Sequence, residues 1–275
     1  MPKYLTEEIK KKVIDIYRDK PISLTELSKK VNVSIPKIIE ILNNANIPRY
    51  TRSRIYSPDL KEDFFESIDT EDKAYFLGLI LADGCIYKSS TKENLVTLTL
   101  QESDKYILDY FIKVLNSNKI ATSDKRGAYS IQIFSNKMVS DLEKYGLTER
   151  KSLHTIFPKM LNPNIYNHFI RGIFDGDGSY SFYTRKNRNV HVKAIRLCQG
   201  NNEFLEDILN YLHSTLGIKT LNLYKEKENL WSFAYRDNDS MLKLGTYLYD
   251  NANIYIKRKH LTWLKIYNEI LTYTN

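Results

Sequence analysis

Two stretches decide the fold: Phe76-Leu77-Gly78-Leu79-Ile80-Leu81-Ala82-Asp83-Gly84 and Ile170-Arg171-Gly172-Ile173-Phe174-Asp175-Gly176-Asp177-Gly178. Each is a largely apolar run closing on Asp-Gly, and the two ends lie 94 residues apart. Within each run small residues recur four apart, Gly78 with Ala82 and Gly172 with Gly176. On a helix that spacing lines up on one face, where a second backbone can approach closely. Two such helices packed face to face place Asp83 and Asp177 side by side at their C-terminal ends, where the helix dipole favours a cation. Two negative charges about 4 Å apart repel by roughly 4 kcal/mol at an effective dielectric near 20. A hard divalent cation resolves that conflict, and Mg²⁺ takes one or two carboxylates with water and phosphate oxygens. Gly84 and Gly178 are expected to stop the helices in the left-handed conformation.

The surroundings of the two runs also match. The first is followed by an alternating run ending in Gln101, then a helical stretch over residues 103–115. The second is followed by an alternating run ending in Gln199, then a helical stretch over 202–216. Short strand-like runs come next, 120–122 with 128–134 and 221–224 with 231–235, and then another helix. Each half reads as αββαββα, so the chain is predicted to be α+β with antiparallel sheets, in halves spanning 61–160 and 161–275.

The two nonapeptides resemble the LAGLIDADG motif of the LAGLIDADG homing endonucleases, over about residues 60–275. The first copy matches at Gly78, Leu79, Ile80, Ala82, Asp83 and Gly84, the second at Gly172, Asp175, Asp177 and Gly178. The resemblance implies a single-chain, pseudo-two-fold saddle over duplex DNA. It also implies hydrolysis of both strands with Mg²⁺ or another divalent cation such as Mn²⁺, leaving short 3′ overhangs. Asp83 and Asp177 would then be catalytic metal ligands. Gln101, Gln199, Lys151 and Lys259 would surround the metals, with Asp104 and Asn202 as alternatives to the glutamines. Position six differs between the copies, Leu81 against Asp175, and Arg171 stands where alanine is usual; Arg171 and Asp175, four apart, are expected to pair. Lys88 and Lys92 in one hairpin, and Arg185, Lys186 and Arg188 in its counterpart, are expected to touch DNA.

Residues 1–60 form a separate basic module, with 12 Lys and Arg against 7 Asp and Glu, five of the chain's net +8. Helical spacing predicts a helix over 6–19, a second opened by a Ser23–Glu26 capping box, and a third capped by Ser34. Asn32 is placed for a left-handed turn between the last two. Residues 24–42 resemble a helix-turn-helix DNA-binding unit, with Lys37 near the start of the reading helix. Residues 1–47 are therefore expected to bind DNA, and the linker 48–60, with Arg49, Arg52 and Arg54, to follow its backbone.

Composition bounds the rest. At 42% hydrophobic and 12% aromatic residues, the 275-residue chain can build a core and is not a disordered one. Its longest apolar run, residues 76–82, is far below the roughly 18 needed to span a bilayer. Cys85 and Cys198 fall in predicted strands as small buried thiols, without a disulfide framework. The five histidines lack metal-ligand spacing. A soluble, monomeric protein is expected, cytoplasmic or wherever its target DNA lies. Inteins resembling this family begin with Cys or Ser and end in His-Asn, so Met1 and Thr274-Asn275 suggest a freestanding protein. The alternative is a DNA- or RNA-binding protein of this fold without cleavage, such as an intron maturase or a transcription regulator.

Overall fold

The computed structural model describes residues 6–51, 54–55, 57–149, 154–159, 161–185 and 191–274. By contacts it divides into two units, residues 1–61 with 112–119, and 62–111 with 120–275.

In the first unit Thr6 caps helix α1 (Glu7–Asp19) by accepting from the Ile9 amide, and Ser23 caps α2 (Leu24–Val31) by accepting from Glu26. Asn32 ends α2 at φ 52°, the left-handed turn expected of it. Helix α3 (Ile35–Asn44) follows with Ser34 at its N-cap, but the predicted side-chain cap is not made. Pro36 has no N–H to offer, and the Lys37 amide is taken by the Ser34 carbonyl at 3.0 Å. Val13, Tyr17, Leu27, Ile38 and Leu42 form the core of this unit. The Tyr17 hydroxyl accepts from the Tyr50 amide at 2.7 Å, tying the exit from α3 back to α1. The Lys61 amide donates to the Leu115 carbonyl at 2.9 Å, which fastens the 112–119 segment to the end of this unit.

The second unit starts with α4 (Glu71–Asp83), β1 (Gly84–Tyr87), β2 (Leu95–Gln101), α5 (Lys105–Val114, the last three residues of which count with the first unit), β3 (Thr122–Ser123), β4 (Ala128–Phe134) and α6 (Asn136–Lys144). The same order returns in α7 (Tyr166–Asp177), β5 (Gly178–Thr184), β6 (His191–Gln199), α8 (Asn202–Leu216), β7 (Tyr224–Lys227), β8 (Leu230–Tyr235) and α9 (Asn238–Tyr249), with α10 (Lys257–Thr274) added. Two antiparallel sheets result, ordered β1-β2-β4-β3 and β5-β6-β8-β7. Strand β7 begins at Tyr224, about where the expected strand was to end.

Helices α4 and α7 pack together through their glycines. A Cβ on Gly78 would overlap the Phe169 carbonyl, and one on Gly172 would overlap the Tyr75 carbonyl and lie 2.7 Å from the Leu79 nitrogen. The small faces thus meet backbone to backbone, as their spacing predicts. Gly84 and Gly178 depart from expectation: both are extended, at φ −86° and −78°. They are needed for space, because a Cβ on Gly84 would lie 2.7 Å from the Ile80 side chain, and one on Gly178 would overlap the Phe174 carbonyl. Each chain turns so tightly out of its helix into β1 or β5 that it rubs against the last helical turn. Cys85 is exposed rather than buried, because Gly84 and Ile86 take the inward positions of β1; Cys198 in β6 is half-buried.

Candidate active site

Asp83 and Asp177 are the last residues of α4 and α7. A Cβ built on Gly176 would meet the Ala82 methyl and stand 3.2 Å from Asp83 Oδ2, so the Asp83 carboxylate lies against the end of the opposite helix. Asp177 is half-buried and Asp83 exposed. Gln199, at the end of β6, donates from Nε2 to Asp177 Oδ2 at 2.6 Å, while its Oε1 accepts from the Gly200 amide. Gln101, at the end of β2, donates instead to Asp104 Oδ2 at 2.9 Å. That oxygen also takes the Nε–H of Arg258 at 2.9 Å. Asn202, the counterpart of Asp104, is the first residue of α8.

Lys259 sits within the first turn of α10, not before it, and is 6% exposed. Its ammonium donates to the carbonyls of Phe174, Gly176 and Gly178 at 2.9, 2.9 and 2.6 Å, and to that of Asp175. The carbonyls of Asp175 and Gly176 are among the last of α7, which a helix leaves without intrahelical partners; the Phe174 carbonyl also takes the Gly178 amide, Gly178 opens β5, and a cation there meets the negative end of the dipole. Burial pushes Lys259 down to about 8, while the charges of Asp175, Asp83 and Asp177 oppose the shift. The side chain is therefore mainly charged at pH 7 and braces the turn that carries Asp177. Lys151 lies outside the described residues.

Directly beneath is a buried polar layer. Asp175 accepts from Tyr75 Oη at 2.9 Å, from Tyr249 Oη at 3.2 Å and from the Ile256 amide at 2.8 Å. Burial raises it to about 6, against the pull of the Ile256 amide, Lys259 and Tyr75. The expected pairing of Arg171 with Asp175 is not found. Arg171, fully buried, donates to Glu71 Oε1 at 2.7 Å, to the Ile254 carbonyl at 2.8 Å and to the Leu248 carbonyl at 3.0 Å. Asp175 is already satisfied by two tyrosines and an amide, so the guanidinium turns toward the start of α4 and the loop before α10. Glu71, Tyr75, Tyr249 and Arg258 escaped the sequence reading, because each reaches its partner over 70 residues or more without a spacing signal.

The candidate DNA contacts are dispersed. Lys37 is half-buried on α3 and held by Glu40 at 2.7 Å; Arg49 is exposed; Arg54 is half-buried and donates to the Leu60 carbonyl at 3.3 Å. Lys88, just after β1, pairs with Glu143 at 2.9 Å, Lys92 is exposed in the same hairpin, and Arg185 is exposed just after β5. Arg52, Lys186 and Arg188 lie outside the described residues.

The acidic pair suits a hard cation in one specific way. Among the described residues no cluster of three or more His, Cys, Asp or Glu side chains is placed to hold a metal. Two carboxylates from two helix ends leave the other positions to water and phosphate oxygens, which is how Mg²⁺ or Mn²⁺ is held at phosphate-transfer sites, and unlike a closed zinc cage. Among the described residues no helix is long and apolar enough to cross a membrane.

Residues 164–263 match the family model described as a LAGLIDADG-like domain. Two curated proteins of Methanocaldococcus jannaschii are similar over part of the chain. The DNA-directed RNA polymerase subunit Rpo1C is 26% identical over 176 residues, 62% of this chain and 18% of that protein. Reverse gyrase is 31% identical over 157 residues, 57% of this chain and 9% of that protein. The chain thus spans under a fifth of the length of either relative. Among solved structures, the LAGLIDADG meganuclease I-AabMI bound to uncleaved DNA aligns with TM-score 0.54 and 15% identity, over 73% of this chain and 90% of that one. The homing endonuclease I-GzeII in complex with its DNA target aligns with TM-score 0.55 and 15% identity, over 73% and 91%. Residues 164–263 thus match a LAGLIDADG-like domain, and about three quarters of the chain shares the fold of these LAGLIDADG structures.

Proposed function

We propose that this protein is a site-specific endonuclease that hydrolyses both strands of duplex DNA, with Asp83 and Asp177 each serving one strand, and leaves short 3′ overhangs. The observation that carries the reading is the meeting of the two acidic helix ends, with Gln199 on Asp177, in a fold shared with DNA-bound meganucleases. A bound Mg²⁺ or Mn²⁺ would neutralise phosphate charge and lower the pKa of a bound water. Asp83 and Asp177 would hold it. Gln199 orients the Asp177 carboxylate, Lys259 keeps the end of α7 in place, and Lys151 is assigned the matching place in the first half. Lys88, Lys92, Arg185, Lys186 and Arg188 grip phosphates, and sheet side chains read base edges. The helices of residues 7–44 add a second grip through Lys37, and the linker a third through Arg49, Arg52 and Arg54.

Cleavage selection against a randomised duplex library with Mg²⁺ tests activity and finds the site together. On that site, Asp83→Asn combined with Asp177→Asn should abolish cutting while DNA binding, measured by gel shift, stays within about threefold, since the pair makes few of the phosphate contacts that dominate affinity. A double variant that still cuts removes the metal assignment. Tight specific binding without cutting by the wild type would instead indicate a binding protein of this fold.

A further inference from the structure

Glutamines at matched places in the two halves have different partners. Gln199 donates to Asp177 itself at 2.6 Å. Gln101 donates to Asp104 at 2.9 Å, and the same Asp104 oxygen takes the Arg258 Nε–H at 2.9 Å. Asp104 is 2% exposed, so these bonds to a carboxylate are sheltered from competing water. One position marks the difference: three residues after Gln101 stands Asp104, and three residues after Gln199 stands Asn202. Arg258 adjoins Lys259, so one turn of α10 both braces the end of α7 and holds the Asp104–Gln101 pair of the first half.

From these contacts we infer that Asp104 is a positioning residue that makes the two halves unequal: it holds the Gln101 amide, so the strand served by Asp177 is cut first and the strand served by Asp83 second. The inference rests on the proposed DNA cleavage. Before the Asp83 side can use Gln101 as the Asp177 side uses Gln199, the hold of Asp104 on the amide must break. The Asp177 side has no such step, because its glutamine already lies on the carboxylate.

The chain has three glutamines, Gln101, Gln132 and Gln199, so labelling glutamine side-chain amides with ¹⁵N yields three NH₂ signals. In the metal-free, DNA-free protein, Asp104→Asn should shift the Gln101 signal and leave Gln199 in place, and Asp177→Asn should do the reverse. On a supercoiled plasmid bearing the selected site, with Mg²⁺, the wild type should accumulate a nicked intermediate. Asp104→Asn should speed the second cut relative to the first by roughly tenfold, the gap between a charge-assisted and a neutral hydrogen bond. Asn202→Asp, which plants the same hold in the other half, should slow the first cut. A Gln101 signal indifferent to Asp104→Asn, or equal cutting rates on both strands, overturns the inference and leaves cleavage standing. No cutting of either strand overturns both. Should Asp104→Asn fail to fold, Asn202→Asp decides alone: an unchanged first cut sinks the idea.

Discussion

Asp175 and Lys259 are charged side chains buried within one turn of each other's contacts, and each has its proton affinity moved by that burial. The folded-state value of Asp175, about 6, lies above the roughly 3.9 of an unfolded chain, so the folded protein binds the proton more tightly. The stability this group contributes is therefore fully present below about pH 4 and lost as pH rises through about 6. At about 1.4 kcal/mol per unit the span is roughly 3 kcal/mol. Asp175→Asn removes the titration, so the stability of the wild type minus that of the variant should fall by about that amount between pH 4 and pH 7. Urea denaturation at both pH values measures it, and a pH-independent difference would refute the assignment. Lys259→Met removes the ammonium from the carbonyls of Phe174, Asp175, Gly176 and Gly178 and should cost about 2–4 kcal/mol, also read by urea denaturation. At this scale the acidic residues were legible in the sequence, but their neighbours were not. Asp83 and Asp177 announce themselves through repeated context, whereas the tyrosines that hold Asp175 look like ordinary aromatic core residues.

Helices and strands were legible where their periodicity is strong. The small-residue spacing of α4 and α7 predicts the face by which they pack, because residues four apart share a helix face whatever the rest of the fold does. Gly172→Ala forces its new methyl into the Tyr75 carbonyl and against the Leu79 nitrogen, so the helices must separate. The expected cost is about 3 kcal/mol, the upper end for overpacking. Gly217→Ala is the contrast: φ is +58° and a Cβ meets nothing within 4 Å, so only the left-handed backbone penalty of about 1 kcal/mol applies. Thermal melts of the two variants should differ accordingly, and equal losses would contradict the close approach. Strand β7 shows where element reading fails. Its side chains, Tyr224 to Lys227, are all exposed at a sheet edge, so no alternation of buried and exposed residues reveals them.

Over the whole molecule, charge is divided unevenly. Residues 1–60 carry a net +5, whereas the other 215, with 29 basic and 26 acidic residues, are nearly balanced. Under the proposed function, DNA affinity of the larger part would depend on where charges sit rather than on their sum. Deleting residues 1–50, which hold the three helices and their own core, should weaken DNA binding, shorten the protected footprint and flatten the salt dependence of affinity. Footprinting and binding titrations at several salt concentrations would show this, and an unchanged footprint would reduce the module to a structural cap. By itself the sequence determined that two helices with small faces pack together and bring Asp83 and Asp177 to one place, because helix periodicity is local information. Only the tertiary structure decided which partner each buried polar group takes. Gln101 turns to Asp104, Arg171 to Glu71 and Lys259 to carbonyls at the end of α7, because a buried donor must find an acceptor among whatever side chains and carbonyls packing brings near. For Arg171 and Lys259 those acceptors come from 100 and 85 residues away, distances over which spacing in the chain says nothing.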